Sequence, residues 1–111
     1  MTYHILMKDI PVIDIITDEL NKVIDFKKFV PDGPMQPFWG NNITTERFYD
    51  FLHDRCYEDG YLGLKDVLHN AGLSSNNPYL WNRRTHGVSF EDFFWIRYDD
   101  ENIKWDDVRV Q

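Results

Sequence analysis

His53 and Cys56 stand three residues apart in a stretch of helical period, the spacing at which two side chains on one helix face could share a metal ion. A tetrahedral zinc site needs three or four such ligands. The remaining histidines, His4, His69 and His86, bring no HxH pair and no second cysteine to complete one. The expectation is a surface histidine beside a buried thiol, with no metal and no cofactor. No serine lies in a nucleophile-elbow sequence, and Cys56 lacks the glycine-framed context of a catalytic thiol. Glycine-rich phosphate loops and the kinase lysine and catalytic loop are also missing. These residues predict a protein that is not an enzyme.

A second pattern concerns charge. Glu46, Asp50, Asp54 and Glu58 recur at steps of four, so on one helix their carboxylates stack about 6 Å apart, comparable to phosphates along a nucleic-acid strand. Like charges at that spacing oppose the helix by roughly 0.2–0.5 kcal/mol per pair, so stability alone does not favour the ladder. Seven more acids lie between Glu91 and Asp107 against Arg97 and Lys104. One reading makes Glu46, Asp50, Asp54, Glu58, Asp99, Asp100, Glu101, Asp106 and Asp107 a partner-binding acidic face. The other makes them a solvated surface, partly neutralised by Arg47 and Arg55. Arg83-Arg84, beside Trp81, is too small a basic patch to recognise nucleic acid and is expected to pair with acids.

The whole chain leans the same way. Nineteen acids against twelve bases give a net charge of −7. Phosphate binding draws on lysine and arginine, so direct nucleic-acid binding is not expected, whereas a protein with a basic surface is. One cysteine forbids an internal disulfide and suits a reducing, cytoplasmic setting. Charged Lys8, Asp9 and Asp14 interrupt the first apolar stretch, which argues against a signal peptide, and no run approaches a membrane span. A chain of 111 residues with 16% aromatics is expected to fold as a single domain, 1–111, around a few large side chains.

The elements that would carry these groups are legible in part. Tyr3 to Met7, Val12 to Ile16 and Val23 to Val30 read as three strands of an antiparallel meander. Turns fall at Lys8-Asp9-Ile10-Pro11 and from Asp18 to Asn21. Pro31 to Asn42 is a packed loop whose Met35, Phe38 and Trp39 should fold back over the sheet. From Thr45 the period is helical: Phe48, Phe51, Leu52 and Cys56 form one stripe, Thr44 or Thr45 offers an N-cap, and Glu58-Asp59-Gly60 ends it. A second helix starts near Tyr61 and ends at Gly72, and a third begins with Pro78 and stops before Gly87. Ser89 and Asp92 resemble a capping box before a late strand, Trp95 to Tyr98. The tail from Asp99 is turn-like, anchored by Trp105 and Val108. The fold class is α+β: a small N-terminal antiparallel three-stranded sheet packed by two or three short helices, with a late short strand. Trp39 and Trp95 are expected to be buried. Phe93, Phe94 and Trp95 are read as core on alternate sides.

The string Gly87-Val88-Ser89-Phe90-Glu91-Asp92-Phe93-Phe94-Trp95-Ile96, followed by Lys104-Trp105-Asp106-Asp107-Val108, is distinctive. With Leu6-Met7-Lys8, Pro11-Val12, Arg55 and Gly63-Leu64 it resembles the non-catalytic N-terminal region that precedes the kinase domain in HipA-like proteins of Gram-positive bacteria. The likeness runs over nearly the whole chain. It departs at Glu58 and Tyr61, where that region carries Pro and a second Arg. The resemblance implies a freestanding regulatory module without phosphotransfer chemistry, one that binds a HipA-like kinase or similar partner in the manner of an antitoxin. The charge pattern leaves a second expectation: a phage-encoded, anti-CRISPR-like inhibitor whose acidic face fills the basic groove of a host defence nuclease.

Overall fold

The computed structural model describes residues 1–56, 63–70, 72–73, 77–89 and 91–109. Three strands, β1 (Thr2–Met7), β2 (Ile10–Thr17) and β3 (Val23–Lys28), form the expected meander. Three helices follow, α1 (Thr45–His53), α2 (Leu64–Asn70) and α3 (Pro78–Thr85). The late strand β4 (Phe94–Tyr98) then enters the same sheet beside β1, and a single turn, α4 (Trp105–Val108), ends the elements. The sheet is antiparallel in the order β3-β2-β1-β4, an α+β architecture.

Register follows the alternation of side chains. Ile5 faces Ile13 on one side and Ile96 on the other, and Tyr3 faces Ile15 and Tyr98. Side chains two apart share a sheet face, so these residues make one apolar surface. That surface is covered by α1 through Phe48 and Leu52, both fully buried, and by Phe38 and Ile43 from the loop. The Tyr3 and Phe48 rings meet edge-on at 4.8 Å, and Phe38 and Phe51 lie 5.1 Å apart. Few, large side chains do fill the core.

The opposite face has its own small apolar centre. Leu6 and Trp95 are cross-strand neighbours, 2% and 0% exposed, yet both stand outside the main cluster. The C-terminal tail reaches this side: the Trp105 N–H donates to Asp9, and the Arg97 guanidinium donates to the Ile103 carbonyl.

Several expectations need correcting. Trp39 is 59% exposed, its indole N–H donating to the Gly33 carbonyl. In this bent loop the buried Phe38 ring takes the inward position and its neighbour is left outside. The helix stripe is shorter than its period suggests, because α1 ends at His53 with Asp54 as C-cap, so Cys56 lies beyond it. Phe93 is exposed and rests edge-on against Trp105. Glu58, Asp59, Gly60 and Tyr61 lie outside the described residues, so the expected end of the first helix and start of the second do too.

Candidate functional site

Thr44 caps α1 by accepting the Arg47 N–H, which sets the helix phase and turns Phe48 and Leu52 inward. Glu46, Asp50 and Asp54 are all left exposed. Among the described residues no basic side chain comes within ion-pair distance of any of the three. Asp50 and Asp54 line a shallow depression of about 260 Å³ with Arg47, Phe51, Phe38 and Pro37. Exposed Tyr49 sits on the same helix, 6.0 Å from His53 ring to ring.

The two arginines assigned to neutralise this ladder are used elsewhere. Arg47 donates to the Asn42 carbonyl and lies over the Phe38 ring. Arg55 turns inward, its side chain 5% exposed. Its guanidinium grips the Asp92 carboxylate through both terminal nitrogens, at 3.1 and 2.5 Å, and also donates to the carbonyls of Phe94 and Gly87. A planar donor fork is suited to this, since its five N–H groups let one side chain meet four acceptors at once. Gly87 stands at φ +64, where an added Cβ would lie 2.9 Å from Asn82 Oδ1 and 3.3 Å from Arg55. A side chain there would be strained by that φ and would crowd Asn82 first, then the guanidinium.

The tail acids behave differently from the ladder. Asp99 meets His4 at 2.7 Å, Asp100 meets Arg83 at 2.8 Å, and Glu101 meets His86 at 2.5 Å. Arg83 also lies 4.3 Å over the Tyr98 ring. Glu101 accepts the Tyr98 N–H with its other oxygen. Asp107 accepts the Lys104 N–H at the start of α4, and Asp106 is 3.6 Å from Arg109. The expected pairing of Arg83 with an acid is present. Of the nine candidate acids, then, Asp99, Asp100 and Glu101 hold the tail to the body, Asp106 and Asp107 bond within the tail, Glu46, Asp50 and Asp54 face water, and Glu58 lies outside the described residues.

His4 is a site that sequence reasoning passed over. Its two ring nitrogens each lie 2.7 Å from a carboxylate, Nδ1 from Asp14 and Nε2 from Asp99. A neutral imidazole has one donor, so serving two carboxylates requires the charged form. Burial pulls its pKa down, but the hydrogen bonds and charges of Asp14 and Asp99 outweigh that and raise it. Alternation along β1 and β2 placed His4 and Asp14 on one face; the arrival of Asp99 depended on where β4 docked.

Chemistry at Cys56 is suppressed. Burial pushes its thiol up to about 11, with the Asn82 side-chain hydrogen bond a lesser, opposing effect. A thiol so little ionised is a poor nucleophile and metal ligand. Among the described residues no group of three His, Cys, Asp or Glu side chains could hold a metal ion, and His53 points away as an exposed side chain. No helix among them is long and apolar enough to cross a membrane.

The motif strings scattered along the sequence meet in space. The Lys8 N–H donates to the Phe93 carbonyl, the Trp95 indole donates to the Lys8 carbonyl at 2.5 Å, and Asp9 receives the Trp105 N–H. Lys8 holds φ 54, a strained value for a side-chain-bearing residue that these tertiary bonds stabilise. Leu6-Met7-Lys8, the Phe93 to Ile96 segment and Lys104-Trp105 therefore fasten one end of the sheet, while Arg55 ties α1 to β4. Compared with protein-family models, curated proteins and solved structures, the chain matches none.

Proposed function

We propose that this chain is a non-catalytic interaction module whose exposed α1 acids dock on a basic protein surface, in the manner of a regulator or antitoxin of a HipA-like kinase or similar partner. The observation that carries the reading is the division among the acids. Asp99, Asp100 and Glu101 are paired with His4, Arg83 and His86, whereas Glu46, Asp50 and Asp54 stand in one exposed row without an ion-pair partner among the described residues. Desolvated against a basic partner, such a row would gain charge-assisted hydrogen bonds that it lacks in the free protein. Suppressed reactivity at Cys56 and the fold-holding use of Arg55, Gly87 and Asp92 support a binding role over a catalytic one. The reading makes the protein soluble in the cytoplasm, with neither membrane nor nucleic acid as direct partner.

The experiment is retention of partners from a bacterial lysate on the immobilised protein, with a Glu46→Gln, Asp50→Asn, Asp54→Asn triple variant beside it. A kinase-like protein retained by the native chain and lost with the variant is the expected result. Equal retention by both would remove the acidic face from the reading. A nuclease retained with steep salt dependence would favour the inhibitor reading instead.

A further inference from the structure

The two edges of the sheet are treated oppositely. At β4 the outward groups are occupied. The Phe94 N–H goes to Asp92, the Phe94 carbonyl to Arg55, the Ile96 N–H to the His86 carbonyl and the Tyr98 N–H to Glu101. No strand can add there. At β3 the protection is slight. The Phe29 N–H donates to the Val12 carbonyl, so by alternation those of Asp25 and Lys27 face β2 while those of Phe26 and Lys28 face outward. The Val23 N–H is taken by the Thr45 hydroxyl, and the Phe26 N–H is held by its own neighbour, the Asp25 carboxylate, at 2.8 Å. Exposed apolar side chains flank this edge, Leu20 and Ile24 (74% and 63% exposed) at one end and Phe29 at the other.

We propose that β3 pairs with β3 of a second copy of this chain, antiparallel about a two-fold axis at Phe26, making one continuous eight-stranded sheet. The charge pattern selects the register. With Phe26 opposite its counterpart, Asp25 of each copy faces Lys27 of the other in the pair type where side chains lie closest. Sliding by two residues either way sets Asp25 against Asp25 or Lys27 against Lys27, which like-charge repulsion disfavours. Sliding by one turns the outward N–H groups away from the partner. In the favoured register the Asp25 carboxylate releases the Phe26 N–H to the partner's backbone and takes up the partner's lysine. Ile24 of one copy comes opposite Lys28 of the other, which brings an exposed apolar side chain to the seam. Lysines on an edge strand ordinarily deter pairing; here, with Asp25 between them and the turn, they deter the neighbouring registers. Because the β4 edge is closed, the assembly stops at two chains and does not grow into a fibre.

Sedimentation velocity across a concentration series tests this on the full chain. The native protein should show a monomer–dimer equilibrium. Asp25→Lys alone and Lys27→Asp alone should each raise the dimer dissociation constant about tenfold or more, since both replace two opposite-charge pairs by two like-charge pairs. An equimolar mixture of the two variants should recover the dimer, because Asp25→Lys in one chain then faces Lys27→Asp in the other. That recovery could not come from a misfolded variant. A native protein that stays monomeric up to its solubility limit would overturn the proposal. So would a dimer indifferent to both substitutions, or a mixture that stays monomeric.

Discussion

Arg55 and Asp92, 37 residues apart in the chain, close a two-pronged ion pair between the end of α1 and the start of β4. The pair sits under the Gly87 carbonyl and beside the Phe51 ring, with the cation 5.0 Å from the ring centre. Around it α3 completes the joint. The Trp81 indole donates to the Arg55 carbonyl, and the Asn82 amide to that of Leu52, which also accepts the Arg55 N–H at the end of α1.

Removing the buried partner of this half-buried pair should be expensive. Arg55→Ala is expected to destabilise the fold by about 3 kcal/mol or more, because Asp92 and two carbonyls lose their donor together. Arg55→Lys should recover little, since an ammonium cannot supply the fork. Urea unfolding curves with unchanged slope would give both values. A loss under about 1 kcal/mol for Arg55→Ala would show that the joint holds without the pair.

His4 predicts a pH dependence whose sign is set by its raised pKa. Its folded value lies above the ordinary 6.5, so its stabilising contribution is fully present below 6.5 and is lost as pH rises through the folded value. Asp14 and Asp99 face the ring directly, while Arg97 on β4 and Lys27 on β3 lie in the same cross-strand row. Melting temperature should therefore fall on going from mildly acid to mildly alkaline buffer, and His4→Gln should flatten that fall. A melting temperature that rises over the same interval would contradict the geometry.

Cys56 should be slow to modify. A thiol raised from 9.0 to about 11 holds about a hundredfold less thiolate at neutral pH. Alkylation followed by mass spectrometry should be slower by about that factor in the native protein than in urea. Equal rates would mean that burial does not hold the thiol protonated.

The α1 acids should contribute differently to stability according to their place on the helix. Asp54 caps the C-terminal end, where a negative charge opposes the helix dipole, while Glu46 lies in the first turn, where it is favoured. Asp54→Asn should raise stability by a few tenths of a kcal/mol, and Glu46→Gln should lower it by about as much. Thermal melts at low salt read the difference, which added salt should erase.

Trp39 and Trp95 should be distinguishable by quenching. Acrylamide should reach Trp39, and Trp39→Ala should change stability by no more than about 0.5 kcal/mol. Trp95→Phe should cost more, as it abandons the indole bond to the Lys8 carbonyl and leaves a gap in a fully buried site.

What the sequence determined by itself was local. Strand alternation at Tyr3, Ile5, Ile13 and Ile15, the Thr44 cap, Pro78 at a helix start and Gly72 at a helix end all depend on neighbours a few residues away, so period and cap chemistry reveal them. The spacing of the acids was legible, but their use was not. Whether an acid is solvated or paired depends on which cation arrives from a distant element, and that was decided when β4 docked beside β1. The docking brought Asp99 to His4, and Asp100 and Glu101 to the basic residues at the end of α3. It drew Arg55 away from the ladder and inward, because the carbonyls of Gly87 and Phe94 needed a donor that water could no longer supply. It closed the β4 edge of the sheet, in part through the Arg55 hydrogen bond to the Phe94 carbonyl 39 residues away, which no periodicity records.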